Sequence, residues 1–213
     1  MYPLTVTLAA LFSNASLALT PVNGPNVPYS AAFAGMSPTI VIASSQTISN
    51  HCKDRERVLL TNKLGIGHWW KSRSLKAGIM PKPPAKTPTP RLIYTYDNAA
   101  ASTPPLPPTD LFNLKIFTGA RCIYAFTNSH VAGAVAQTNM LDYRNLEKSQ
   151  GEKSHFGPPL SCVEIELRDD EERRSGDSKP MGRLVISGPA VVGGRVVADQ
   201  VMAVTDENTL IYP

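Results

Sequence analysis

Cysteine is scarce, and no metal-binding spacing occurs. The 213 residues include three cysteines. Cys52, Cys122 and Cys162 form neither an even set nor a close cluster. That excludes a disulfide scaffold and leads us to expect an intracellular, reducing compartment. His51, His68, His130 and His155 are dispersed along the chain, so no metal site is expected among them. There is no Walker-type phosphate loop and no internal repeat. The net charge is only +4. Basic residues gather in 53–91 and acidic ones in 164–177, with no basic motif interleaved with aromatics, so nucleic acid is not an expected partner. The mixed-sign run RDDEERRSGDSK at 168–179 reads as a solvated hairpin loop.

Long apolar runs are also few. LTVTLAALFSNASLALT at 4–20 is the nearest to one, but it lacks basic flanks and contains Ser13, Asn14 and Ser16. It is shorter than the roughly 20 residues that cross a bilayer. A buried helix is expected there, followed by a turn at NGPNVP (23–28). Only if the run were a signal peptide would Asn14-Ala15-Ser16 be a glycosylation site.

What is present suits a packed core, with 42% hydrophobic and 18% charged residues, enough for one or two domains. PTIVIAS, RLIYTY, LKIFTG and CIYAFT are short apolar runs of the kind a largely parallel, covered sheet needs, and they place an α/β layer in 1–145. Residues 155–213 change to strand-and-turn chemistry, with SCVEIEL, RLVISG and a terminal hairpin near TDENTLIY. Within the first of these, Val163, Ile165 and Leu167 alternate with Glu164 and Glu166, which marks a strand with one wet face and makes the carboxylates solvated rather than catalytic. Cys122 and Cys162 lie in apolar strand patterns and read as core residues.

Between the first two strands, SQTISNHCKDRERVLLTNK reads as a helix with a charged face and LGIGHWWKSRSLKAGIM as a second, Gly-interrupted segment. PKPPAKTPTP at 81–90 cannot be helix or inner strand, because proline lacks the N–H donor and restrains its predecessor; it is a surface linker. Trp69 and Trp70 stand beside Lys71, Arg73 and Lys76, which allows a membrane-interface anchor. The preferred expectation is that the tryptophans pack under the linker while the cations face water, since no long amphipathic helix supports the anchor.

One ordered set of segments points further. YTYDNAAASTPPL at 94–106 is followed by a short helical segment and then GARCIYAFTNSHVAGAVAQTN at 119–139; later come HFGPPLSCVEIELRD (155–169), MGRLVISGPAVVGGRV (181–196) and DENTLIYP (206–213). The series resembles the nucleotide-facing half of an AMP-forming acyl-CoA synthetase, with its closest flavour in the long-chain fatty-acid–CoA ligase branch. In the family's Ser-Gly-Gly-Ala-Pro turn this chain has Tyr96-Asp97-Asn98-Ala99, and in its Tyr-Gly-Leu-Thr-Glu motif it has Tyr124-Ala125-Phe126-Thr127-Asn128.

The resemblance implies an α/β fold, the second half of the large N-terminal domain of an adenylate-forming enzyme, with an α/β layer (1–145) and part of a small β-barrel (155–213). It implies ATP-dependent acyl adenylation and thioester formation, with ATP or AMP, Mg²⁺ and CoA as cofactors and a fatty acid as substrate. Thr127 would be the phosphate contact and catalytic residue, because hydroxyls at strand-to-helix turns are pre-oriented donors. Tyr124 and Phe126 would shape the adenine and acyl walls, and Asp97, Asn98 and Ala99 the adenine side. Ala125 replaces a glycine, and Asn128 stands where the family has the carboxylate that would hold Mg²⁺. No Pro-Lys-Gly loop or Thr-Gly-Asp triplet is found. The alternative is therefore a non-catalytic, ligase-like fragment that binds an acyl or nucleotide ligand, or a membrane surface. Peripheral association with the endoplasmic reticulum or peroxisomal membrane is compatible with either.

Overall fold

Three parallel strands form the base on which everything else is assembled. The computed structural model describes residues 2–19, 35–61, 65–82, 90–99, 105–141, 154–169 and 180–212. Strand β1 (Ile40–Ser44) runs into helix α2 (Ser45–Thr61), which is followed by α3 (Gly65–Lys76), β2 (Leu92–Asn98), α4 (Pro108–Thr118), β3 (Arg121–Thr127) and β4 (Ala134–Gln137). β1, β2 and β3 pair in parallel, and β4 closes the sheet antiparallel to β3. β3 is buried along all but its first residue, as a central strand covered on both faces must be. Along β2, Ile93, Thr95 and Asp97 are buried, alternating with half-buried Tyr94 and Tyr96; Ile93 belongs to the cluster that includes Ile48 and Cys52 of α2 and Leu114 of α4.

LKIFTG belongs to the short helix that the order of the motif segments implies and is not one of the apolar runs of the sheet, and the difference lies in its flanks. Pro108 opens α4, Asp110 occupies the first turn, and Gly119 ends the helix in the left-handed conformation at φ 65°. These are start and stop signals that outweigh the apolar Leu114, Ile116 and Phe117. α4 is tied to α2 by Ser49 Oγ, which donates to Asp110 at 2.9 Å, and by Cys52 Sγ, which donates to the Asp110 carbonyl at 3.3 Å.

A second, antiparallel sheet has the order β5 (Glu164–Arg168), β6 (Met181–Ser187), β7 (Arg195–Val204) and β8 (Leu210–Ile211). The expected alternation in β5 is present, and Glu166 pairs with Arg195 at 2.8 Å on the exposed surface. Residues 154–163 join the two sheets. Phe156 N–H donates to the Leu210 carbonyl at 2.7 Å, and Leu160 N–H to the Val135 carbonyl at 3.0 Å. Gly157 sits at φ 78°, where a Cβ would collide with the carbonyl of Gln137, so this backbone crossing requires glycine. One hydrophobic cluster then runs through both sheets, including Tyr124, Phe126, Phe156, Leu184, Ile186 and Leu210.

Two expectations about the surface are corrected. The N-terminal run forms α1 (Tyr2–Phe12), only 11 residues long. It is not buried: Leu4, Leu8, Leu11 and Phe12 face outward, Phe12 with 91% exposure. Its inner contacts include Val6, which packs against the Ala125 and Ala134 cluster that Tyr94 and Tyr96 also touch, and a 2.8 Å bond from Thr5 Oγ1 to the Ala132 carbonyl. Trp69 and Trp70 are likewise exposed rather than packed beneath the proline-rich segment, because α3 turns Leu75 inward instead. Cys122 is buried as expected and Cys162 is half-buried. Among the described residues, no helix is long and apolar enough to cross a membrane. The expected turn at 23–28, residues 83–89 of the proline-rich segment and residues 170–179 of the charged loop lie outside the described residues.

Candidate functional site at the carboxyl ends of the parallel strands

Parallel pairing places the two motif turns side by side. Asp97 lies opposite Phe126 and Asn98 opposite Thr127. Ala99 N–H donates to the Thr127 carbonyl at 2.8 Å, and Thr127 Oγ1 donates to the Asp97 carbonyl at 2.7 Å. The turn between β6 and β7 closes on the same corner: Val131 bridges Val191, and Val192 N–H donates to the His130 carbonyl at 2.8 Å. Three segments far apart in sequence thus converge outside the carboxyl ends of parallel strands, where open α/β sheets bind ligands because the connections diverge there.

Beneath this corner is a buried polar knot. The Asp97 carboxyl accepts one hydrogen bond from Ser45 Oγ and another from the Tyr124 hydroxyl. That hydroxyl in turn accepts from Leu106 N–H at 3.0 Å. Burial raises the Asp97 pKa, and the two donated hydrogen bonds pull against that rise. Burial and then the neighbouring Asp97 push Tyr124 well above its ordinary value, and the same two causes push Tyr212 up to about 12. Burial thus disfavours charge on all three groups, while the hydrogen bonds from Ser45 and Tyr124 offset part of that cost for the carboxyl, a compact way to place polar groups inside a core. Ser45 was not foreseen as part of the site. Its signal was the small, polar ASSQT at a strand-to-helix junction, where Ser44 caps α2 by accepting from Thr47 N–H at 3.4 Å.

The remaining site residues divide by exposure. Tyr124 and Phe126 are fully buried and stack on Phe156, with ring centres 4.6 and 5.1 Å away. Their side chains are core, not open walls. Ala125 faces the opposite side, packed with Ala134 and near Val6. Ala99, Thr127 and Asn128 are buried, and Asn98 is half-buried. Asn128 Oδ1 accepts from His130 N–H at 2.9 Å, a tight side-chain turn.

These residues do not fit Mg²⁺. Asn128 offers a neutral amide whose oxygen is engaged, and the Asp97 carboxyl is committed to Ser45 and Tyr124 inside the core. Among the described residues no cluster of three His, Cys, Asp or Glu is arranged to hold a metal ion. The one hydroxyl proton of Thr127 already goes to the Asp97 carbonyl, so contact with a phosphate requires that bond to open. The side chains at the corner, Asn98 and Asn128, are neutral amides, suited to hydrogen bonding rather than to charge.

The fold is that of part of the large domain of acyl- and aryl-CoA ligases. The structure is similar to the N-terminal domain of FACL13 from Mycobacterium tuberculosis, with a TM-score of 0.61 and 12% identity over 99% of this chain and 47% of that one. It is also similar to the anthranilate CoA ligase AuaEII in complex with anthranoyl-AMP (TM-score 0.57, 15% identity, 92% of this chain and 33% of that one). A third similar structure is the O-succinylbenzoate CoA synthetase MenE from Bacillus subtilis bound to AMP (TM-score 0.57, 11% identity, 98% and 37%). This chain thus spans between a third and a half of the length of these structures. No protein family is matched by the sequence, and no curated protein matches it.

Proposed function

We propose that this chain is the nucleotide-facing part of a long-chain fatty-acid–CoA ligase-like protein, with the adenylate side of the site at Asp97–Ala99 and Tyr124–Asn128. The observation that carries the reading is the register that sets Asn98 against Thr127 at the carboxyl ends of two parallel strands, with the β6–β7 turn closing over them. The ligase-like folds support the activity class, and the long-chain branch rests on the motif resemblance. ATP or AMP, CoA and a fatty acid are the ligands so implied, and an intracellular, reducing compartment suits three cysteines that form no disulfide.

Calorimetric titration with AMP, and with ATP in the presence of Mg²⁺, tests the site. Thr127→Ala is expected to weaken nucleotide binding by about 0.5–1.5 kcal/mol through one lost hydrogen bond. Asn128→Glu is expected to strengthen Mg²⁺-dependent ATP binding by adding a carboxylate. Glu166→Gln serves as control, because Glu166 only pairs with Arg195 on the wet face of β5. Silent Thr127 and Asn128 variants beside an affected Glu166 variant would put the site elsewhere.

A second reading has its own support. Thr127 and Asn128 are buried with polar atoms engaged internally, which favours a non-catalytic, ligase-like binding role for the chain by itself. On that reading no pyrophosphate is released from ATP with a fatty acid supplied, and release above a no-protein control refutes it.

A further inference from the structure

We infer that the outer face of α3 is a docking surface for an anionic lipid bilayer, a role separate from the nucleotide site and independent of whether that site binds AMP. Among the described residues, the helix is held through its contacts with α4. Leu75 is fully buried, and His68 meets Phe117 at 5.9 Å between ring centres and Asn113 at 3.3 Å. Turned away from these contacts are Trp69 and Arg73, at i and i+4 on one stripe of the helix, with Trp70 beside them, while the exposed Lys76 marks the edge of the patch, its ammonium 5.8 Å from the Phe112 ring centre of α4. Trp69 is 55% and Trp70 63% exposed, and their rings meet edge to face at 5.2 Å. The Arg73 guanidinium lies 5.8 Å from the Trp69 ring centre, so aromatic surface and positive charge are presented together. Ile79, just past the helix, is also exposed.

Three features single out a lipid surface as the partner. Indole rings are apolar with one polar edge and settle at the boundary between headgroups and acyl chains. Long cationic side chains let their stems follow the apolar phase while their heads meet phosphates or carboxylates. α3 itself contains Lys71, Arg73 and Lys76 and no acidic residue, which makes it complementary to a negative surface and not to a positive one. The other exposed apolar face, that of α1, differs on both counts. It carries no charged residue, and it lies across the sheet, since Val6 packs against the Ala125 and Ala134 cluster that Tyr94 and Tyr96 also touch, whereas α2 and α4 cover Ile93 and Cys122. Nothing there selects an occupant.

The chain provides its own probe, because its two tryptophans are Trp69 and Trp70. Intrinsic emission therefore reports on this patch alone. On vesicles of phosphatidylcholine with phosphatidylserine, the emission is expected to shift to the blue and to be quenched by brominated acyl chains. Partition should be at least about tenfold stronger than onto phosphatidylcholine alone, and it should fall with added salt. Combining Lys71→Glu, Arg73→Glu and Lys76→Glu should abolish the shift. Trp69→Ala with Trp70→Ala should abolish vesicle flotation, with circular dichroism confirming that each variant is folded. Three results would each overturn the assignment: no shift on anionic vesicles, equal binding to neutral vesicles with unmoved emission, or the same shift with a soluble polyanion but not with vesicles. The second would mean adhesion through another apolar face, and the third a soluble acidic partner.

Discussion

Phe156→Ala is expected to cost about 3–5 kcal/mol of folding stability, the usual range for emptying a buried phenylalanine site. The ring is fully buried, and its centre lies 4.6 Å from that of Tyr124, 5.1 Å from Phe126 and 5.4 Å from Tyr212. It therefore sits between β3 of the first sheet and the end of the second. The cavity cannot close easily, because the backbone of residue 156 is pinned to Leu210 and the next residue is Gly157 pressed against Gln137. Against a typical stability of about 5–15 kcal/mol, such a loss removes much of what holds the two sheets as one body. Urea denaturation should show a markedly lower midpoint. A loss below about 1 kcal/mol would mean that the sheets do not depend on this cluster.

Tyr124→Phe is expected to be the next largest, and its effect should depend on pH. The hydroxyl donates to Asp97 and accepts from Leu106 N–H, so its removal disturbs two buried groups. At neutral pH the loss should be about 1.5–3 kcal/mol, the range for a hydrogen bond to a charged acceptor. Asp97 has a folded-state pKa raised by burial. Its contribution is therefore fully present below the ordinary carboxyl value of about 4 and is lost as pH rises through the folded-state value. Removing the phenol donor raises that pKa further, because the phenol stabilised the ionised form. Near pH 4 the Tyr124→Phe penalty should shrink to about 0.5–1.5 kcal/mol, that of a neutral hydrogen bond. Asp97→Asn should flatten the pH dependence above pH ~4, since the titrating group is gone. Equal penalties for Tyr124→Phe at pH 4 and pH 7 would show that Asp97 does not titrate in this range.

Much of the scaffold was legible from local pattern. β1, β2 and β3 follow the apolar runs PTIVIAS, RLIYTY and CIYAFT, and β5 follows the alternation of Ile165 and Leu167 with Glu164 and Glu166. α2 follows the segment with a charged face, and the β7–β8 hairpin falls at TDENTLIY. Periods of two and 3.6 residues reveal themselves within a short window, because each depends only on neighbouring side chains. LKIFTG was ambiguous, because its apolar Leu114, Ile116 and Phe117 suit a sheet run while the order of the motif segments puts a short helix at the same place, and Pro108 and Gly119 decided for helix. The order of the motif turns at Asp97–Ala99 and Thr127–Asn128 was also readable along the chain.

Which groups meet, and which stay wet, was decided only in three dimensions. Ser45 finds Asp97 across 52 positions and Tyr124 finds it across 27, because parallel pairing aligns the ends of β1, β2 and β3. The same packing withdraws the side chains of Tyr124 and Phe126 into the core and leaves Trp69, Trp70 and Phe12 exposed. By itself the sequence determined the elements and the order of the motifs, through local periodicity and turn chemistry. Tertiary structure determined the polar knot and the exposed faces. Burial depends on what lies across a strand or helix from a residue, and those neighbours are brought there by distant parts of the chain.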